Sequence, residues 1–438
     1  MRLSLNNVGR FQSATIELNG MTVIAGANGT GKSTLSKSLY CLFNGFSVSE
    51  DEFSYEKMRA VEAALIRSSF QIIIPSTKDY YSTLEEISSK LFALTNKSDN
   101  SIKQFIFDIS SEFNDYTKAH NTSSESIKHQ QIPITNDDIK LLKTVLDYDI
   151  KKFINFKISS LFSTEFRDQI SNNNSTNSDC KLELSIKNNL FSIDFSNNKI
   201  NNISYPFAIK KKAIYIDDPF IIDNTSSAVS INSRFYRRLS APLSRDHREN
   251  LCHLLALQKT NTMLDRDITQ EYNILLNKIE NICAGHIYTS PSGQTVYCDN
   301  SNSKNELNIV NISTGLKTFI IISQLLKNGS FEQNGTIILD EPEIHLHPEW
   351  QIVFAEILVL LQKCLNLHIL LTTHSPYFLR SLQVFSEKYH TEDTYNFYLT
   401  KNQENISIIK NVNNSVDTIY KEMAKPFQIL ENIQYQDD

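Results

Sequence analysis

Short unbroken apolar runs alternate along this chain with longer stretches of helical spacing, and their order predicts the architecture. Thr22-Val23-Ile24-Ala25 has the pattern of a strand buried on both faces. Residues 2–5 and 15–18, before it, read as a hairpin-like pair. Leu35, Leu39 and Leu42 then recur at helical spacing, with Asn44-Gly45 as the expected C-cap. Further helices are expected over residues 82–94, 102–116 and 136–162. In the last of these, Ile139, Leu142, Val145 and Leu146 form an apolar stripe. Periodicity reads the stripe as the core of a helical subdomain, with a partner-binding helix as the alternative.

The rest of the chain continues the pattern. Residues 171–179 (SNNNSTNSD) are a polar low-complexity loop. Residues 182–186 and 190–195 read as strands about an Asn188-Asn189 turn. Ala213-Ile214-Tyr215-Ile216 is another buried strand, ending in Asp217-Asp218-Pro219. Residues 226–285 read as helical, and 288–298 as a hairpin around Pro291-Ser292-Gly293. The C-terminal third alternates: helix 316–326, strand 336–339, helix 348–365 with Pro348 first, strand 368–373, a helix from Pro376, then strands near 396–400 and 406–409. Such alternation predicts an α/β fold: a mostly parallel sheet with flanking helices, an antiparallel β part and a large helical insertion.

Composition narrows this picture. With 438 residues, 40% hydrophobic and 21% charged, the chain reads as soluble and globular. No apolar run approaches the ~18 residues of a membrane span, and residues 1–16 lack a signal-peptide core. None of the six cysteines sits in a C-x-x-C pair, so a reducing, cytoplasmic location is expected. The net charge of −6 is no footprint for general nucleic-acid binding. One basic patch, Arg234, Arg237, Arg238, Arg245 and Arg248 with Phe235 and Tyr236, is read as a solvated helical face or a protein interface before a nucleic-acid contact.

Glycine usage points to the chemistry. Only 11 residues are glycine, well below the usual ~7%, yet Gly26, Gly29 and Gly31 crowd into one short loop. Gly26-Ala27-Asn28-Gly29-Thr30-Gly31-Lys32-Ser33-Thr34 fits G-x-x-x-x-G-K-[ST], after a buried strand and before a helix. Its backbone N–H groups and helix N-terminus form an anion nest. Lys32 suits the β- and γ-phosphates, and Ser33 offers a hydroxyl to Mg2+.

Three further pieces follow. The strand Thr336-Ile337-Ile338-Leu339 ends in Asp340-Glu341. Asp340 suits the Mg2+ shell, and Glu341 suits polarising an attacking water. Thr372-Thr373-His374-Ser375-Pro376 ends the next strand, with His374 lying 33 residues beyond Glu341 (374 − 341). That spacing holds one helix and one strand, so His374 is expected beside Glu341 at the carboxyl edge of the sheet. Ile312-Ser313-Thr314-Gly315-Leu316-Lys317 precedes a helix and offers another N-terminus suited to phosphate. His345 and His347 lack a third ligand nearby, which disfavours a metal site there.

In this order the four pieces resemble the ABC-type ATPases: Walker A at Gly26 to Ser33, a signature-like Ser313-x-Gly315-x-Lys317, Walker B at Asp340-Glu341 and a switch histidine at His374. The run Asp340-Glu341-Pro342-Glu343-Ile344-His345-Leu346-His347-Pro348 resembles a narrower branch. That branch holds the OLD-type ATPases and the anti-phage defence ATPases of the Septu (PtuA) and PARIS (AriA) kinds. Asn7-Val8-Gly9-Arg10-Phe11 is similar to the opening of that branch and of RecF.

The resemblance implies ATP and Mg2+ as cofactors, in composite sites of a head-to-head dimer or higher oligomer. It implies catalytic roles for Glu341, His374 and Lys32, and metal binding by Ser33 and Asp340. Asn28, Gly29, Thr30, Gly31, Lys32, Ser33, Thr34, Arg10, Ser313, Gly315 and Lys317 are the expected nucleotide contacts, with Ser313 and Gly315 acting on the partner's ATP. Together with the pattern along the chain, it divides the sequence into a head with Walker A (1–46), a helical insertion (47–180), a β-rich part of the head (181–225), a helical lobe (226–290), the remaining head (291–415) and a tail (416–438). The departures are S-T-G in place of S-G-G, His347 at the D-loop aspartate position, and no evident Q-loop glutamine, with Asp217 as a stand-in.

Only 64 residues (438 − 374) follow His374, too few for the TOPRIM nuclease of OLD enzymes, and no HNH-like set appears. The expected function is therefore the sensor or regulatory ATPase of an anti-phage defence system, controlling a separate effector, with a nuclease among the candidates. The alternative is a RecF- or SMC-like repair ATPase that binds DNA. The insertion lacks the sustained heptads of a coiled-coil arm, and the charge is acidic. The long insertion disfavours a transporter motor, and Glu341 disfavours a scaffold that never hydrolyses.

Overall fold

Every residue of strand β3 (Met21–Gly26) is buried, because strands lie on both of its edges and helices cover its faces. The computed structural model describes residues 1–67, 80–94, 97–119, 135–172, 178–224, 246–257, 270–290, 294–299 and 306–434. They contain an eleven-stranded sheet with order β6-β5-β4-β1-β2-β14-β13-β3-β12-β11-β7.

Five neighbouring strands are parallel. β3 lies between β13 (Tyr395–Gln403) and β12 (His368–Thr373), and β11 (Thr336–Asp340) continues from β12 to β7 (Ala213–Ile216) at the edge. The register sets Ala25 beside Thr373, Asp340 beside Thr372, and Leu339 beside Ile216. Three candidate motifs thus leave the sheet at one edge. The remaining strands, β1 (Arg2–Val8), β2 (Phe11–Glu17), β4 (Cys180–Ile186), β5 (Asn189–Ser196) and β6 (Lys199–Ser204), form an antiparallel wing. β14 (Ile406–Asn411) joins it to the core by pairing antiparallel to β13 and parallel to β2. This is the expected α/β class with a mixed sheet.

The chain forms two units. The first is Met1–Ser47, Lys157–Arg234 and Ser244–Asp438; the second is Val48–Phe156 with Phe235–Leu243. In the first, helix α1 is Lys32–Phe46, and one apolar core joins the sheet to Phe319, Phe354 and Phe378 of later helices. In the second, α2 (Glu50–Arg67), α3 (Tyr80–Phe92), α4 (Asp99–Ala119) and α5 (Asn136–Leu146) pack around Val61, Leu84, Leu91, Ile102, Ile139 and Leu142. The apolar stripe of α5 is therefore subdomain core, with Val145 partly buried against it.

Several sequence expectations change. The single helix over 136–162 is two, α5 and α6 (Ile150–Phe166). Asp147 caps the end of α5, and the Asp149 carboxylate accepts from the Lys152 N–H (2.7 Å) to start α6. Gly45 lies inside α1, where a Cβ would come within 2.7 Å of Ile158, and the C-cap is Ser47. Within 226–285 the described helices are α7 (His247–Leu255) and α8 (Gln270–Ile282). The expected hairpin is β8 (Gly285–Thr289) with β9 (Thr295–Asp299), extended by a short strand β10 (Glu306–Asn308) that the sequence reading lacks. α9 (Thr314–Lys327), α10 (Pro348–Leu365) and α11 (Pro376–Lys388) follow, and the tail forms α12 (Asp417–Gln434). The polar stretch 173–177, the turn Pro291-Ser292-Gly293 and Arg234, Phe235, Tyr236, Arg237, Arg238 and Arg245 of the basic patch lie outside the described residues.

Candidate nucleotide-binding site

The loop from β3 to α1 is built around Gly31, which caps the helix at φ 86. A side chain there would be strained, and its Cβ would meet the Phe11 ring at 2.6 Å. Gly31 also brings no capping side chain, so the first N–H groups of α1 are left for an anion. Asn28, Gly29 and Ser33 are exposed, and Thr34 is half-buried. Arg10, expected as a nucleotide contact, comes from the β1–β2 turn and donates to the Gly29 carbonyl (2.6 Å). The Thr30 hydroxyl is buried on the Ala27 carbonyl (2.8 Å) and Thr400 (2.8 Å), which leaves its backbone N–H for a ligand.

Lys32 is buried, and its Nζ donates to the carbonyls of Gly26 (2.9 Å) and Ala27 (3.0 Å). The same Nζ pairs with Glu341 Oε1 at 2.9 Å. On the other side, His374 Nδ1 lies 3.5 Å from Glu341 Oε2. His374, then Lys32, hold the Glu341 carboxyl down at about 2 against the opposing effect of burial. Glu341 in turn raises His374. Three residues from three strand ends thus converge.

Glu341 has the left-handed φ of 50, uncommon for a residue with a side chain. Its N–H is fixed on the Thr372 hydroxyl (3.0 Å) and carbonyl (3.2 Å). The turn aims the carboxylate back across the sheet edge at Lys32. Behind it sits Glu343, almost wholly buried, whose Oε1 accepts from the His374 N–H (3.1 Å) and the Thr373 hydroxyl. Burial pushes the Glu343 carboxyl up, and its Oε2 has no hydrogen-bond partner. Glu343 therefore holds the His374 loop, a role the sequence signalled only through the acidic run after Asp340.

Asp340 is held from both sides. Its Oδ1 accepts from the Thr372 hydroxyl and its Oδ2 from the Tyr215 hydroxyl (3.0 Å). Each oxygen keeps a free lone pair. Asp217, the Q-loop stand-in, is instead engaged by His247 Nε2 (2.9 Å) and the Arg248 guanidinium (2.8 Å). That pairing accounts for Arg248, the described member of the basic patch.

The signature-like residues behave differently from one another. Ser313 is exposed, caps α9 and makes no side-chain cap bond, so its hydroxyl is not spent on the helix N-terminus. Gly315 is packed where a Cβ would stand 3.1 Å from Trp350 and from the His345 carbonyl. Lys317 departs from expectation: it is 1% exposed, ion-paired to Asp223 (2.7 Å) and set over the Phe220 ring (5.2 Å). Its charge is therefore neutralised internally, and a direct contact to nucleotide is not available to it in this arrangement. Among the described residues no hydrogen bond or ion pair links Ser313, Gly315 or Lys317 to residues 26–34 of the same chain. Nor do described residues form a cluster of metal-ligating side chains at His345 and His347.

The family profile described as AAA ATPase domain matches residues 1–379. "Retron Ec83 probable ATPase" of Escherichia coli is 27% identical over 123 residues, covering 26% of this chain and 20% of that protein, so the match spans a fifth of the relative's length. Among solved structures, "SMC head domain from Thermotoga maritima" is 10% identical with a TM-score of 0.37, covering 94% of this chain and 98% of that one. An Smc head domain with an extended coiled coil, bound to the C-terminal domain of ScpA derived from Pyrococcus furiosus, is 10% identical with a TM-score of 0.41, covering 99% and 98%.

Proposed function

Since this chain belongs to the AAA ATPase domain family, we propose that it binds ATP on the β3–α1 loop and hydrolyses it with Glu341 as the base that activates water. The meeting of Lys32, Glu341 and His374 at one sheet edge carries this reading. The residues present suit a magnesium nucleotide: an uncapped helix N-terminus, an exposed Ser33 hydroxyl, and an Asp340 carboxylate oriented by Thr372 and Tyr215. When bound, Mg2+ offsets negative charge on the β- and γ-phosphates.

In the nucleotide-free arrangement His374, then Lys32, hold Glu341 at about 2, too weakly basic to take a proton from water at neutral pH. A γ-phosphate draws Lys32 away from Glu341, and loss of that neighbouring charge raises the proton affinity of the carboxylate. His374 stays to contact the phosphate or water. ATP arrival therefore both fills the site and switches on its base.

The site is completed in trans. Exposed, uncapped Ser313 at the N-terminus of α9 suits the phosphates of a partner's ATP. Ser313→Arg is expected to keep ATP binding in calorimetry and to lose phosphate release. Mixing it with Lys32→Ala should restore one working site per dimer. Mixed dimers with no recovered activity would count against trans completion.

The physiological role we propose is regulation of a separate effector in anti-phage defence, as the Septu-like and PARIS-like motif resemblance and the partial match to a retron ATPase support. ATP shifts an effector only if the effector prefers one nucleotide state. Effector co-purified from the native operon should bind Glu341→Gln loaded with ATP and nucleotide-free Lys32→Ala with affinities differing about tenfold, equivalent to about 1.4 kcal/mol. A chain that purifies alone and is stimulated by duplex DNA ends would instead be a repair ATPase.

A further inference from the structure

A largely buried charged triad lies behind the Walker B carboxylate: His247 and Glu165 belong to no sequence motif, and they meet Asp217, the Q-loop stand-in. His247 opens α7 after the N-cap Asp246 and is almost fully buried. Its Nδ1 contacts both oxygens of Glu165 (2.9 Å each), and its backbone N–H donates to Glu165 Oε1 (2.7 Å). Its Nε2 faces Asp217 Oδ2 at 2.9 Å, which Arg248 shares. The ring lies flat on Tyr215, with centroids 4.3 Å apart and planes at 24°. Tyr40 supports Tyr215 from another side, at 5.9 Å. Tyr215, 1% exposed, spans the remaining gap and donates a hydrogen bond from its hydroxyl to Asp340 Oδ2 (3.0 Å).

We infer that His247 is a positioning residue for the metal–nucleotide site: clamped between Glu165 and Asp217, it fixes Tyr215 so that the tyrosine hydroxyl sets the orientation of the Asp340 carboxylate.

Two physical arguments separate this from ordinary core packing. Burying an imidazole between two carboxylates is costlier than filling the same space with an apolar side chain, so the triad is a poor device for stability alone. Burial by itself lowers the His247 pKa, but pairing with Asp217 and Glu165 overrides it and lifts the group to about 9, so the ring is cationic at neutral pH. A cation stacked on Tyr215 resists rotation of that ring more than a neutral neighbour does. Second, packing requires only the ring of Tyr215. Its hydroxyl is a buried polar group whose hydrogen bond in the structure is to Asp340. Register supports the geometry: Ile216 of β7 pairs with Leu339 of β11, so Asp217 and Asp340 leave adjacent strands at the same level. The triad thus grips β7 one residue past this pair while Tyr215 reaches across to β11.

The inference rests on the reading of Asp340 as the metal ligand, and the test separates the two. In Glu341→Gln protein loaded with ATP, Mn2+ affinity is measured by electron paramagnetic resonance, with Mg2+ dependence of ATPase measured in the otherwise native background. Tyr215→Phe and His247→Gln are each expected to weaken Mn2+ about tenfold, in the range typical of residues that orient metal ligands. The double variant should be no weaker than the weaker-binding single, because both act through one hydrogen bond. ATP affinity without divalent cation should be unchanged. Should His247→Gln fail to fold, Asp217→Asn, which frees one side of the ring only, replaces it. If Asp340→Asn loses Mn2+ but the Tyr215 and His247 variants bind it as the parent does, or if their effects simply add, the positioning role is wrong and the site assignment stands. If Asp340→Asn also binds Mn2+ normally, the site assignment itself fails and the inference falls with it.

Discussion

Glu341→Gln is expected to keep ATP and lose turnover by roughly 10²- to 10⁴-fold, the usual contribution of a general base. The amide matches the carboxylate in shape and can still accept from His374, so the left-handed turn at φ 50 and its bonds to Thr372 have no reason to change. What changes is the charge facing Lys32 at 2.9 Å. The freed ammonium has one competitor fewer for the γ-phosphate, so ATP affinity should rise rather than merely persist. Calorimetry gives the affinity and phosphate release the rate. Wild-type turnover would exclude Glu341 as the base. Glu343 is a poor substitute, since it is almost wholly buried and its Oε1 is taken by the Thr373 hydroxyl and the His374 N–H.

The parts of this site that were legible in the sequence are those written in contiguous residues. Gly31 before Lys32-Ser33 states both the loop and the helix it opens, because a backbone at φ 86 and a close Phe11 ring leave little choice of residue. Asp340-Glu341 after an apolar run states a strand end, and the 33-residue step to His374 states the next one. The boundaries of α10 and β12 follow for the same reason: Pro348 starts one, and Asn366, at φ 47, ends it just before the strand.

Relations between distant residues were not legible. Lys317 looks like a signature cation in sequence, yet Asp223 claims it from 94 residues away. Thr30 belongs to the phosphate motif, but Thr400, brought beside β3 by the pairing of β13, takes its hydroxyl. His247 and Glu165 carry no local pattern and meet across 82 residues. The break between α5 and α6 was missed for a different reason. Apolar spacing on either side is compatible with one continuous helix, and the competing signal, Asp147 and Asp149 acting as caps, lies in polar residues that periodicity ignores.

Lys32→Ala is expected to reduce ATP affinity by at least ten- to a hundredfold, and with it to abolish turnover. Hydrogen bonds to charged groups contribute about 1.5–3 kcal/mol, and tenfold in affinity is about 1.4 kcal/mol; removing the buried Lys32 cation from the loop loses at least one such interaction. The carbonyls of Gly26 and Ala27 also lose their donor, so the loop itself loosens. A second consequence appears without nucleotide. The Glu341 pKa is depressed from 4.5 to about 2 by His374 and Lys32 together. A folded-state pKa below the unfolded one contributes stability that is fully present above 4.5 and is lost as pH falls toward about 2. In Lys32→Ala only His374 remains, so thermal stability should fall less steeply with acid than in the native protein, while lying lower at neutral pH. Melting curves between pH 3 and 7, set beside calorimetry with ATP, read both consequences from one substitution. Undiminished ATP affinity would remove Lys32 from the phosphate site; an unchanged acid slope would mean that His374 alone holds Glu341, and that ATP does not switch the base through Lys32.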